Sequence, residues 1–121
     1  MSRTVILPLR IDLPDTNHLV YGPNNRQLTS HDVTRLTEMF WPPGEQANAR
    51  AIAFAESAYW TGAWSYIGED SRGLWQLDVD AYVEMEGWDL FDPQLNAYFA
   101  YLQWTTEGWA AWKTAAGLGL A

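Results

Sequence analysis

Two kinds of hydrophobic patterning divide this chain. Over residues 1–28 the apolar positions alternate weakly (Val5, Leu7, Leu9, Ile11, Leu13), and Pro8, Pro14 and Pro23 interrupt any regular ladder. A turn reads at Gly22-Pro23-Asn24-Asn25. The pattern predicts an extended N-terminal arm with a short edge strand; the alternative is a strand packed against the domain.

From Thr29 onward the period becomes helical. Thr29 or Ser30 can cap a helix running to about Phe40, with Val33, Leu36, Met39 and Phe40 as its buried stripe. Pro42-Pro43-Gly44 stops it and opens a second helix over about 45–59. Residues 61–72 carry the glycine and serine of a loop, and 73–78 read as a short strand or a buried turn. A helix is predicted over about 79–86, closed by Gly87. Asp92-Pro93 starts another, running to about Thr106 and burying Leu95, Phe99 and Leu102, with Tyr98 or Trp104 as a further candidate, and a last short helix follows Gly108. The expected fold is mainly α with little sheet, organised as an arm over 1–28 and a helical domain over 29–121.

One position breaks the pattern. Ala49, Ile52, Ala53 and Glu56 fall on one face of the second helix, so a glutamate stands where the core should be. An ionised carboxylate there is costly, so the group should hold its proton to unusually high pH. The bland alternative is a buried glutamate satisfied by a cap or by Arg72. Asp70 and Asp78 follow on the glycine-punctuated stretch. A protonated carboxyl beside ionised ones is the division of labour that glycosidic cleavage needs, with the acid protonating the leaving oxygen and a second carboxylate steering water. Each aspartate could equally cap a loop or helix.

Composition narrows the partners. The formal charge is −8 with a single lysine, Lys113, which disfavours nucleic acid and anionic membranes as partners. It also disfavours a free wall hydrolase that finds its anionic target by positive charge. No apolar run is long enough to span a bilayer, so no membrane insertion is expected, and the first residues make a poor export signal. There is no cysteine, and His18 and His31 lack ligand spacing, so neither metal nor cofactor is expected. Eight tryptophans are many for 121 residues; most should fill the core, and a few could line a sugar-binding groove.

Ala55-Glu56-Ser57 at a helix end, then Gly73-Leu74-Trp75-Gln76 after a loop, resemble the shared core of the lysozyme-like superfamily, in particular goose-type lysozymes and soluble lytic transglycosylase domains. The stretch 68–73 and Asp78 resemble the goose-type version, and the later Phe91-Asp92-Pro93-Gln94-Leu95-Asn96-Ala97 with Gly108-Trp109-Ala110-Ala111-Trp112 looks like compact versions in phage tail proteins. The resemblance covers roughly 28–113. It implies Glu56, Asp70 and Asp78 as catalytic residues, with Ser57 (as a brace), Trp75 and Gln76 around the substrate. Nothing matches the late alanine-tyrosine-asparagine-alanine-glycine segment of such enzymes; Tyr98 or Tyr101 would have to stand in for its tyrosine.

The implied activity is a muramidase cutting the β-1,4 bond between N-acetylmuramic acid and N-acetylglucosamine in peptidoglycan glycan strands. It would be carried on a virion tail, docked through the N-terminal arm to tail or baseplate proteins. The two aspartates argue for hydrolysis over lytic transglycosylation. The rival from another class is an inactive lysozyme-like structural or wall-binding component of a virion tail.

Overall fold

The computed structural model describes residues 19–120, about half of them helical, with four short strands. Part of the segment expected as an arm is built into the domain. Strand β1 (Val20–Tyr21) pairs antiparallel with β2 (Ala63–Ser65), Val20 opposite Trp64. The attachment continues through Gly22 N–H to Gly62 O (2.7 Å), a Gln27–Trp60 bridge, and Leu28 N–H to Tyr59 O (2.9 Å). Leu19 and Leu28 are buried. The boundary expected after residue 28 is therefore corrected: 19–28 belongs to the domain. The remainder of the expected arm, 1–18, lies outside the described residues.

Helix α1 (Ser30–Phe40) opens with a capping box, Thr29 Oγ1 accepting from Asp32 N–H while Asp32 Oδ2 accepts from Thr29 N–H. Val33 and Thr37 are its buried residues, with Leu36 and Phe40 packed alongside. Met39, expected in the stripe, is 52% exposed because it falls outside the arc that Val33, Leu36, Thr37 and Phe40 share. Helix α2 (Gln46–Ser57) follows a 3-10 turn at Pro43–Glu45. It ends abruptly. Ala58 takes the left-handed conformation (φ 51°) and Tyr59 repeats it (φ 69°), each without glycine's freedom.

The stretch expected as a loop contains β2 and, paired with it, β3 (Ser71–Arg72), which pairs in turn with β4 (Leu77–Asp78). Strands this short carry no visible alternation, which is why the sequence reads as loop. Gly73, between β3 and β4, has φ +80°, and a Cβ there would collide with the Asn96 side chain and Leu90 O. Buried Asn96 ties this corner to α3 (Pro93–Glu107), accepting from Trp75 N–H (2.9 Å) and donating to Arg72 O and Leu90 O.

The helix expected over 79–86 does not form. Asp78 Oδ1 accepts from Asp80 N–H, turning the chain, and only a 3-10 turn at Val83–Met85 follows. Helix α3 starts as expected, with Asp92 capping Leu95 N–H and proline in its first turn. Its inward face is Asn96, Phe99, Ala100 and Gln103; Leu95 is only partly buried and Leu102 is 37% exposed. The asparagine sets that rotation, because its amide must reach the β3–β4 corner. A 3-10 turn (Trp109–Ala111) and α4 (Thr114–Gly117) close the fold.

The centre is aromatic. Trp41 stacks between Trp75 and Trp109 at centroid separations of 5.3 and 6.1 Å, and Trp109 meets Trp112 at 5.7 Å. Three of these four indole N–H groups are hydrogen-bonded, Trp75 to Ala49 O, Trp109 to Glu45 Oε1 and Trp112 to Trp75 O, while that of Trp41 is buried without a partner among the described residues. This block ties the start of α2 to the turn between β3 and β4 and to the residues that lead into α4.

Candidate active site

The end of α2, strands β3 and β4, α3 and the start of α4 enclose a cleft of about 670 Å3, within the rough 300–1,000 Å3 range of ligand sites. Glu56 lines it from the last turn of α2, together with Glu69, Gln76, Asp78, Tyr82 and Gln103. The last turn of a helix is an unfavourable place for negative charge. Burial pushes the Glu56 carboxyl up from 4.5 to about 7, the Thr114 hydrogen bond opposes the rise, and the negative charge of Glu69 adds to it. The partner of Glu56 is Thr114, whose Oγ1 donates to Oε2 at 2.9 Å, and not Arg72. The site thus holds a carboxylic acid that keeps much of its proton near neutral pH and opens on a cleft.

Asp78 reaches the same cleft from β4, its Oδ1 held by the N–H groups of Asp80 (3.0 Å) and Asp70 (3.3 Å). Gln76 lines it in a left-handed backbone conformation (φ 49°). Its Nε2 is spent on Ala63 O and Gly73 O, so its oxygen is the end left for a ligand.

Four expected site residues stand elsewhere. Asp70 is not among the cleft-lining residues; it is clamped bidentately by Arg72 at 2.8 Å and takes the Trp64 indole N–H. The Arg72 guanidinium, which also lies over the Trp64 and Phe91 rings, holds the Asp70 carboxyl below its usual range. Trp75 is fully buried in the tryptophan core and presents no surface to a sugar. Ser57 is equally buried; its Oγ donates to Ala53 O and accepts from Tyr59 N–H, bracing the end of α2 without meeting a ligand. Tyr98 lies on the outer side of α3 against Phe40 and Phe99, away from the cleft.

Sequence reasoning missed Thr114, Tyr82, Gln103 and Glu69. The hydroxyl sought in a late tyrosine is supplied to Glu56 by Thr114, two residues after Trp112, so the Trp-Lys-Thr run was the available signal. Tyr82 donates its hydroxyl to Glu107, and burial, reinforced by that bond, pushes its phenol up to about 12.

The lysozyme-like domain family matches residues 42–114, from the proline that opens the approach to α2 through the threonine bound to Glu56. The chain belongs to the lysozyme-like domain family. Membership carries a general activity class, glycosidase or transglycosylase action on peptidoglycan. No curated protein and no solved structure matches the chain. In this lysozyme-like domain β1 and α1 precede the matched region, yet β1 completes the sheet and α1 packs on α2 and α3. Among the described residues no helix is long and apolar enough to cross a membrane.

Proposed function

We propose that this domain is a muramidase that hydrolyses the β-1,4 bond between N-acetylmuramic acid and N-acetylglucosamine. The observation that carries the reading is Glu56, partly buried, raised to about 7, and facing a cleft that also contains Asp78. Glu56 donates its proton to the leaving glycosidic oxygen as positive charge builds on the sugar ring. Asp78, anchored through one oxygen, orients the attacking water. Asp70 has no part in the step. It stiffens the β2–β3 corner through Arg72, beside the strand that carries Asp78.

Purified peptidoglycan tests this. Glu56→Gln should abolish release of muropeptides, and mass spectrometry of the wild-type products should show reducing ends; wild-type lysis by the variant refutes the acid. Mainly 1,6-anhydro ends would assign lytic transglycosylation instead, with Glu56 still the acid.

Carriage on a virion tail is the delivery we propose, with the chain ahead of Leu19 as the attachment to tail or baseplate proteins. The −8 charge supports it, since such a protein gains nothing from electrostatic attraction to an anionic wall and benefits from tethering. Deleting residues 1–18 should spare activity on soluble wall fragments and prevent incorporation into particles; normal incorporation refutes the docking.

A further inference from the structure

The cleft continues beyond Tyr82. Tyr82 and Gln103 also line a second cavity of about 80 Å3, whose other walls include Glu84, Met85, Phe99, Leu102 and Glu107. Met85 and Phe99 give it a buried apolar floor. Glu84 and Glu107 supply carboxylates, the latter held by the Tyr82 hydroxyl at 2.9 and 3.1 Å, and no basic residue lines it. Gln103 stands at the junction of the two cavities. It is 8% exposed, and among the described residues its amide oxygen has no hydrogen-bond partner.

That amide is unexplained by packing. Leaving a buried polar group unpaired costs about 1–3 kcal/mol, and Phe99 and Ala100 on the same face show that the position accepts apolar side chains. The terminal torsion of glutamine is soft, so a half-turn exchanges which end of the amide faces the cavity. An acceptor at the junction, a narrow apolar floor and two carboxylates without a counter-cation suit one ligand chemistry: an alkyl chain ending in an ammonium group. An anion would be repelled, and a neutral sugar would leave the carboxylates unused.

We propose that this second cavity is a subsite for an aliphatic ammonium group, the amine-bearing side chain of a wall stem peptide, with Gln103 accepting one of its hydrogen bonds. The proposal rests on the reading that glycan strands occupy the neighbouring cleft, because a stem peptide branches from the muramic acid. The methylenes lie on Met85 and Phe99, and the ammonium is shared among Gln103, Glu84 and Glu107.

A lysine-containing stem tetrapeptide and its Nε-acetylated form distinguish the idea by NMR titration of the full chain. The lysine peptide should produce saturable shifts at the Met85 methyl and Gln103 side-chain amide signals, and acetylation should weaken binding at least tenfold. Gln103→Leu, which removes an unpaired amide and so should fold, and the surface change Glu84→Gln should each weaken the lysine peptide several-fold and leave the acetylated one unaffected. Equal binding of the two peptides, or unchanged preference in both variants, overturns the subsite. Wall digestion separates this from the glycosidase reading. A wild type that digests walls but does not discriminate the peptides refutes only the subsite; one that binds the amine but digests no wall refutes only the glycosidase.

Discussion

Replacing Glu56 by glutamine should stabilise the protein, and only at pH values where Glu56 would be ionised. Burial raises the carboxyl from 4.5 to about 7. At about 1.4 kcal/mol for each tenfold change in ionisation constant, holding the group ionised costs the fold roughly 3 kcal/mol. A carboxyl whose folded value exceeds its unfolded one binds more protons in the native state, so wild-type stability declines as pH rises from 4.5 and levels off above about 7. Glutamine has no such decline, and its oxygen can still accept from Thr114 Oγ1. The two proteins should therefore be equally stable near about pH 4 and differ by roughly 3 kcal/mol at about pH 8, on the order of 10 °C in melting temperature for a domain of this size. Urea unfolding of both proteins across that range is the assay. Taking the difference cancels the contributions of Asp70, Tyr82 and every other titrating group. A gap that stays constant with pH, or that widens towards acid, would refute the burial argument even if the variant were inactive.

Thr114→Val should raise the Glu56 carboxyl further, because the lost hydrogen bond favours the ionised form. The alkaline limb of the activity profile should move up while kcat falls, and an unmoved limb contradicts the contact. Asp78→Asn should cut wall lysis by at least tenfold, whereas Asp70→Asn should cost stability of about 1 kcal/mol and leave lysis within a few-fold of wild type. Loss of lysis in folded Asp70→Asn would restore that residue to the chemistry. Gly73→Ala forces a left-handed non-glycine residue into Asn96 and Leu90, and should destabilise by about 2 kcal/mol or more in urea unfolding; a neutral result would mean that the corner can move.

Features encoded in consecutive residues were legible. Thr29 as a cap, Asp92 with Pro93, and the proline pair after Trp41 each act within a turn, and α1, α2 and α3 begin or end near where they predict. Glu56 was legible too, since its helical face could be counted from Ala49 and Ile52. What depended on distant partners was hidden. The inward face of α3 follows from Asn96 binding Trp75, Arg72 and Leu90, and no periodicity in 93–107 carries that information. The roles of Asp70 and Asp78 look alike in sequence, and an arginine two residues along captured one of them. Trp75 beside Gln76 illustrates the same limit, one buried and the other at the cleft because successive residues of a tight turn diverge.

The costs in this fold gather around the cleft. Of the non-glycine residues with positive φ among those described, Ala58 and Tyr59 end the helix directly after Glu56, and Gln76 lines the cleft wall. Each such conformation costs about 1–3 kcal/mol. Ionised Glu56 and the unpaired amide of Gln103 add to the same region. The tryptophan block carries one cost of the same kind, the buried Trp41 indole N–H with no partner among the described residues, but its rings stack and its other three indoles are hydrogen-bonded. Strain this localised persists only if the surroundings over-determine it, and the left-handed pair has a geometric consequence. By stopping α2 after Ser57 it leaves Glu56 in the final turn, where its side chain can reach both the cleft and Thr114. A helix continuing for one more turn would take up residues 58–61 and break the Tyr59–Leu28 and Thr61–Arg26 backbone bonds that hold the sheet edge. The placement of the acid and the termination of the helix are one structural decision, so substitutions that relax the turn should trade activity for stability.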